Sequence, residues 1–146
     1  MKLIKSTQNI DFLSPDTSSE LQLPIADGIK AGFPSPAQDY IDNALDLNKE
    51  LIKNPSATFY GRVRGNSMID AGINDGDILI IDKSLPPMDG KKAVCYIDGE
   101  FTVKTLQVNK NGVFLMPANP DFKPIKITEE NDFIVWGIVT FVIHKF

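Results

Sequence analysis

The chain has 146 residues, 42% of them hydrophobic, and a formal net charge of −4. This length suits one domain with one core, and the longest apolar runs, such as residues 78–81, are far too short to span a bilayer. The negative charge excludes the broad basic surface that direct phosphate contacts need, so any link to nucleic acid is expected to be indirect.

The first 38 residues are rich in Pro, Ser, Asp and Gln. Four prolines interrupt every candidate helix in this segment, namely Pro15, Pro24, Pro34 and Pro36. We therefore expect residues 1–38 to form an extended, poorly packed arm, without a helix-turn-helix. The arm also lacks the apolar stretch of a secretory signal, and the single cysteine, Cys95, excludes internal disulfides. Both features indicate a cytoplasmic protein.

One short helix and a series of short strands are predicted after the arm. Residues 46–54 have the pattern of a helix that Asp46 caps and Pro55 ends. From Ala57 onward, apolar residues recur with period two and turn signals follow every few residues, which is typical of an all-β fold. The predicted strands are 57–64, 77–82, 91–98, 100–108, 112–117, 124–128 and 133–145. The strand 77–82 is apolar on both faces and should be central, and Gly137 should mark a bend in the last strand.

The segment 91–108 predicts a β-hairpin whose two-residue turn is Asp98-Gly99. This turn fixes the register, so that Lys104 lies opposite Ala93 and Thr102 lies opposite Cys95. Lys104 is thus predicted to be a cation among small or apolar neighbours.

The stretch "RGNSMIDAGINDGD" (64–77) places Ser67 between a strand and a turn, where a side chain is often presented rather than buried. A serine nucleophile needs a base, and the only histidine, His144, has no sequence support for that role. A lysine can serve instead if burial removes its charge, and Lys104 fits this requirement. The backbone N–H groups of Ser67 and Met68 are candidates for the oxyanion site.

Simpler interpretations exist for each of these residues. A serine in a turn is most often a turn residue, and a lysine on a strand most often extends into solvent. Three aspartates (Asp70, Asp75 and Asp77) are better explained as a solvated turn than as a metal site, because they lack the pattern of a calcium-binding loop. We predict no metal and no cofactor.

Three stretches resemble one known family. "GNSMIDAGINDGDILIID" (65–82) is similar to the nucleophile segment of the LexA-like serine peptidases of family S24, and "DGEFTVKTLQ" (98–107) is similar to their lysine segment. "AGFPSPAQDYIDNALDLNKELIKNPSATF" (31–59) resembles the UmuD-like branch of that family. The resemblance covers about residues 29–143.

The resemblance implies a self-cleaving peptidase with a Ser-Lys dyad. Ser67 matches the family nucleophile, Lys104 matches the general base, and the scissile bond falls between Ala31 and Gly32. The UmuD-like branch commonly has cysteine before that glycine, so Ala31 is a departure that LexA-type repressors share. The implied fold is mostly β, a LexA/signal-peptidase-like domain of short, strongly curved strands at 39–146, preceded by the arm 1–38 that contains the cleavage site.

The resemblance also implies partners. A RecA filament on single-stranded DNA would stimulate cleavage. The shortened chain, as a homodimer, would then join a UmuC-type catalytic subunit to form an error-prone translesion DNA polymerase.

Three other functions are compatible with parts of the sequence. A LexA-like transcriptional regulator shares the peptidase domain but carries a helical DNA-binding domain, which the proline-broken arm does not resemble. A type I signal peptidase also pairs a serine with a lysine, but it needs a membrane anchor, and none is seen here. A non-catalytic β-rich interaction module would keep the fold without a dyad held in register.

Overall fold

The computed structural model describes residues 2–18, 22–26, 41–65, 71–116 and 123–146. These residues divide into two compact units. Residues 1–15 and 54–146 belong to the first unit, and residues 16–53 belong to the second.

The first unit is built on one antiparallel sheet of nine strands. Its spatial order is β1-β2-β5-β6-β11-β7-β8-β9-β10. The strands are β1 (Lys2–Ser6), β2 (Ile10–Ser14), β5 (Thr58–Val63), β6 (Ile78–Asp82), β7 (Lys92–Ile97), β8 (Glu100–Asn109), β9 (Gly112–Met116), β10 (Ile125–Lys126) and β11 (Phe133–Ile143).

The seven strands from β5 to β11 confirm the predicted all-β fold, and each lies within about two residues of its predicted range. As expected, β6 is central. It pairs with β5 on one side and with β11 on the other, and four of its five residues are buried. A strand in this position is covered on both faces, which explains why its sequence is continuously apolar.

The hairpin of β7 and β8 has the predicted register. Lys104 lies opposite Ala93, and Thr102 lies opposite Cys95. Asp98 and Gly99 have φ values of 47° and 95°. Positive φ at both central residues is the signature of the type I′ turn, which matches the twist of the flanking strands.

The long strand β11 joins the two halves of the sheet, since it pairs with β6 and with β7. Its register to β7 shifts between Val135 and Gly137, which confirms the predicted irregularity at this glycine. A Cβ atom at Gly137 would lie 2.5 Å from Ile81 Cγ2. The absence of a side chain therefore allows β11 to approach β6 closely.

The alternation of β7 and β8 directs side chains to two separate hydrophobic clusters. Val94 and Val103 belong to the larger cluster, whereas Ala93, Cys95 and Leu106 belong to the smaller one. This division is the one expected from the hairpin register.

The prediction of a poorly packed arm is wrong for its first residues. Residues 2–6 and 10–14 form the strands β1 and β2, and β2 extends the sheet at the edge of β5. Ile10 is fully buried and Phe12 is 2% exposed, so both belong to the core of the first unit. Because Pro15 follows β2 instead of interrupting it, proline did not prevent this strand.

The second unit contains a separate two-stranded sheet and a short helix. β3 (Gln22–Ala26) pairs antiparallel with β4 (Ile41–Asp46), and α1 (Leu47–Leu51) follows directly. Asp46 caps this helix as predicted, because its carboxylate accepts a hydrogen bond of 3.0 Å from Asn48 N. The helix ends three residues earlier than predicted. The first unit then resumes at Asn54, beyond the expected boundary at residue 39.

Candidate functional site

Lys104 lies in the middle of β8, and its side chain is partly buried. Ala93, directly opposite on β7, is fully buried and leaves only a methyl group beside the lysine stem. The next residue on the same face of β7 is Cys95, which is also fully buried. The lysine is therefore placed among the small and apolar neighbours that the hairpin register predicts.

The pKa of the Cys95 thiol reflects its apolar surroundings. Burial raises the pKa of Cys95 to about 12, and the positive charge of Lys104 acts in the opposite direction. The thiol is thus protonated and unreactive at neutral pH. Ala93 and Cys95 belong to one apolar cluster, so the strand register places Lys104 beside an apolar part of the sheet.

The Lys104 amine makes no hydrogen bond and no ion pair with any side chain or backbone group in the described part of the chain. Its position is set by strand pairing instead, and no carboxylate of the described residues holds the amine. This placement beside small and apolar groups makes Lys104 a candidate partner for a serine hydroxyl.

Ser67, Met68 and Asp70 lie outside the described residues, but both ends of their segment are defined. β5 leads into Gly65, which has a φ of 77° and donates its N–H to Asp75 Oδ1 over 2.6 Å. This hydrogen bond ties the two ends of the segment together across ten residues. It also occupies the Gly65 N–H, so that group is not available to an oxyanion.

The expectation of a solvated turn is correct for Asp75 and wrong for Asp77. Asp75 is exposed, whereas Asp77 is 1% exposed. Asp77 Oδ1 lies 2.6 Å from His144 Nδ1, and Asp77 Oδ2 accepts a 2.8 Å hydrogen bond from Asn74 N. These contacts satisfy the buried carboxylate and fix the start of β6 against the C-terminal end of the chain.

Sequence reasoning missed the pair of Asp77 and His144, which are 67 residues apart. A local signal exists for part of this arrangement, because an Asp side chain commonly accepts a hydrogen bond from a nearby backbone N–H group. That signal predicts the contact with Asn74 but not the one with His144.

The predicted scissile bond between Ala31 and Gly32 also lies outside the described residues. It falls within the connection 27–40, between the paired strands β3 and β4. Because these strands are antiparallel, the chain reverses direction between residues 26 and 41.

Two further observations concern the described residues only. They contain no group of three His, Cys, Asp or Glu side chains that could hold a metal ion. Among them, no helix has the length and apolar character that a bilayer crossing requires.

Comparison with known proteins places the chain in a family. The family model for Peptidase S24-like proteins matches residues 24–140. SamA of Salmonella typhimurium is 46% identical over 115 residues, which cover 79% of each chain. MucA of Escherichia coli is 45% identical over 113 residues, or 77% of each chain.

A more distant relative covers a larger share of the chain. The LexA repressor of Alcanivorax borkumensis is 36% identical over 132 residues, which cover 90% of this chain and 64% of that protein. The family match and the two relatives above confirm the resemblance drawn from residues 31–59, 65–82 and 98–107. The chain is a member of the Peptidase S24-like family, with close relatives of the UmuD-like kind.

Proposed function

We propose that this protein is a self-cleaving serine peptidase of the SOS response that cuts its own chain between Ala31 and Gly32. Ser67 is the nucleophile and Lys104 is the general base. The observation that carries the proposal is the position of Lys104 on β8, where it lies opposite Ala93 and has no hydrogen-bond or ion-pair partner among the described residues. Membership of a peptidase family supports the same chemistry.

The mechanism requires the connection 27–40 to bring the Ala31 carbonyl to Ser67. Neutral Lys104 accepts the hydroxyl proton as Ser67 Oγ attacks that carbonyl, while the N–H groups of Ser67 and Met68 bind the oxyanion. The Gly32 amine leaves with a proton from Lys104, and water then hydrolyses the acyl-enzyme. Since the substrate is tethered, docking replaces binding from solution and lowers part of the barrier.

Intact mass after incubation of the purified chain at alkaline pH tests the reaction. We expect fragments of residues 1–31 and 32–146, and a mechanism with a general base predicts that they form faster as pH rises. Ser67→Ala and Lys104→Ala should each abolish the cut. Lys92→Ala is the matched control, because Lys92 lies on the neighbouring strand opposite Thr105 and should leave the rate unchanged.

Lys104→Arg separates a base from a simple positive charge. Arginine keeps the charge and much of the length, but it does not lose its proton under these conditions. A base mechanism therefore predicts that this variant is as inactive as Lys104→Ala. Cleavage by Lys104→Arg at more than about a tenth of the normal rate, or a cut elsewhere than after Ala31, would contradict the proposal.

We further propose that a RecA filament on single-stranded DNA favours the docked state and so promotes cleavage near neutral pH. The measurement is the cleavage rate at neutral pH with RecA, single-stranded DNA and a nucleotide, compared with reactions that omit one component. Stimulation that needs every component is expected. An equal rate without single-stranded DNA would exclude this partner.

The cleaved chain is proposed to act in the cytoplasm as a homodimer that joins a UmuC-type polymerase subunit. Two apolar residues on the same face at the end of β11 support an interface, since Phe141 is 41% and Ile143 is 44% exposed. Sedimentation of the wild type and of Ile143→Asp checks the dimer. Copurification of the cleaved chain with a UmuC-type subunit checks the second partner.

A LexA-like transcriptional regulator is the second candidate, because a LexA repressor aligns with most of the chain. Residues 2–6 and 10–14, however, are β-strands and not the helices of a helix-turn-helix. The net charge of −4 also does not predict the basic surface that phosphate contacts require. These observations favour the peptidase without a DNA-binding role.

A further inference from the structure

The N-terminal hairpin, residues 2–14, is bound along the free edge of β5. β2 pairs with β5 through four residues, Ile10 to Leu13 opposite Val63 to Tyr60. β1 contributes little to the core, because all five of its residues are exposed. The hairpin is thus attached mainly through β2, which resembles an added peptide strand more than an interior element of the sheet.

Apolar contacts anchor β2 at two positions. Phe12 is 2% exposed, with its ring centroid 4.5 Å from that of Trp136 and 5.1 Å from that of Phe101. Ile10 is fully buried within the same cluster. Two alternate residues therefore enter a pocket lined by aromatic and aliphatic groups that belong to residues 54–146.

Polar contacts fix the register between these anchors. The Arg64 guanidinium forms an ion pair with Asp11 and donates to Ser6 Oγ over 2.7 Å. Arg64 N donates to Asn9 O over 2.8 Å, and Asn9 Nδ2 donates to Phe101 O over 3.2 Å. The ion pair is partly exposed, so its contribution is to orientation more than to affinity.

Each of these contacts joins a residue before Ala31 to a residue after Gly32. A cut after Ala31 breaks none of them and removes only the covalent tether. If cleavage simply released residues 1–31, the released fragment would take with it two core residues of the first unit, Ile10 and Phe12.

We propose that the edge of β5, with Phe101, Trp136 and Arg64, is a peptide-binding site for an extended strand of pattern Ile-Asp-Phe, and that the fragment 1–31 stays bound in it after cleavage. The second part rests on the proposed cleavage after Ala31, whereas the binding site does not. Self-cleavage then yields a nicked, two-piece molecule.

This arrangement separates cleavage from exposure of the β5 edge. While the chain is intact, the tether keeps the local concentration of the strand high, and no competitor displaces it easily. After the cut, the strand is held by contacts alone and exchanges with free peptide. A second strand of the same pattern can then occupy the site.

The first test uses the full chain with the recognition sequence of a specific protease inserted between Ala31 and Gly32, in a Ser67→Ala background. After complete cutting, size-exclusion chromatography at micromolar concentration is followed by denaturing and native mass spectrometry. We expect both fragments to co-elute and to appear as one complex in the native spectrum. Elution of residues 32–146 without residues 1–31 would overturn the proposal.

The second test measures exchange with labelled peptides, so that the protein itself carries no substitution in the site. A fluorescent peptide of residues 1–15 is added to the cut protein, and its anisotropy is followed. It should bind, and unlabelled peptide should compete. Phe12→Ala in the competitor should weaken it at least about 100-fold, since loss of a buried phenylalanine is a large perturbation.

Leu3→Ala in the competitor is the matched control. Leu3 is an apolar residue of the same hairpin that is 57% exposed, so its removal should change the affinity less than about threefold. Equal loss with both variants, or no binding of the parent peptide, would refute a specific strand site. Because the protease cut does not depend on Ser67, failure of self-cleavage and failure of fragment retention are separate outcomes.

Discussion

Substitution of Phe12 by alanine in the uncut chain discriminates between a packed hairpin and a loose arm. The wild-type ring is 2% exposed and contacts two other aromatic rings, Phe101 and Trp136. Truncation of a fully buried phenylalanine costs about 3–5 kcal/mol, which combines lost burial with the cavity that remains. This is a large fraction of the stability of an ordinary domain.

Urea unfolding followed by Trp136 fluorescence is the suitable assay, because Trp136 is the only tryptophan and lies against Phe12. With a slope of about 1–3 kcal/mol per molar urea, the midpoint should fall by at least about 1 M. Leu3→Ala, which truncates an exposed side chain, should shift it by a small fraction of that amount. A Phe12→Ala loss below about 1 kcal/mol, similar to that of Leu3→Ala, would refute the packing of the hairpin.

Three further predictions concern the sheet. Gly137→Ala should lower the free energy of unfolding by about 1–3 kcal/mol, because the new Cβ would lie 2.5 Å from Ile81 Cγ2. In urea unfolding, the double variant with Ile81→Ala should lose less stability than the sum of the two single variants. Losses that simply add would contradict the clash. Cys95 should resist iodoacetamide in the native state at pH 8 and react only after denaturation, since burial raises its pKa to about 12; rapid native labelling, measured by mass, would show an open thiol. At Asp82, burial raises the pKa, but hydrogen bonds from Ser84 and Asn54 outweigh this effect, so the net pKa lies below 3.8. The ionised carboxylate therefore stabilises the fold above about pH 4. This contribution is lost as pH falls through the lowered pKa. The stability difference between wild type and Asp82→Asn in urea should therefore be largest near neutral pH and shrink below pH 3.8, and a difference that grows in acid would have the wrong sign.

The sequence predicted the hairpin that carries Lys104 because its signals are local. The Asp98-Gly99 turn defines the register, and the alternation of small and apolar residues then defines the two faces. β6 was equally predictable, since a run such as "ILII" (78–81) can be satisfied only in the interior of a sheet.

The strand β2 was missed although its pattern is visible. Ile10 and Phe12 alternate with Asp11, which is the period of a half-buried strand, but the prolines from Pro15 onward dominated the interpretation of the whole segment. Only the contact with β5, some 50 residues later, decides that this short pattern is buried. Tertiary pairing of this kind has no local signal.

The same reason limits the prediction of the site. Lys104 could be placed from its own hairpin, whereas the burial of Asp77 depends on His144 at the far end of the chain. The positions of Ser67 and Ala31 relative to Lys104 stay predictions, which the cleavage experiments address.

The position of β11 has a consequence for biosynthesis. The segment that carries Ser67 joins β5 to β6, Lys104 lies on β8, and β11 is the strand that links these two groups of strands in the sheet. Because β11 (Phe133–Ile143) follows every other described strand in chain order, it is the last of them to be synthesised. The two groups of strands therefore become one sheet only after the hairpin of Lys104 and the strands on either side of Ser67 have already been made.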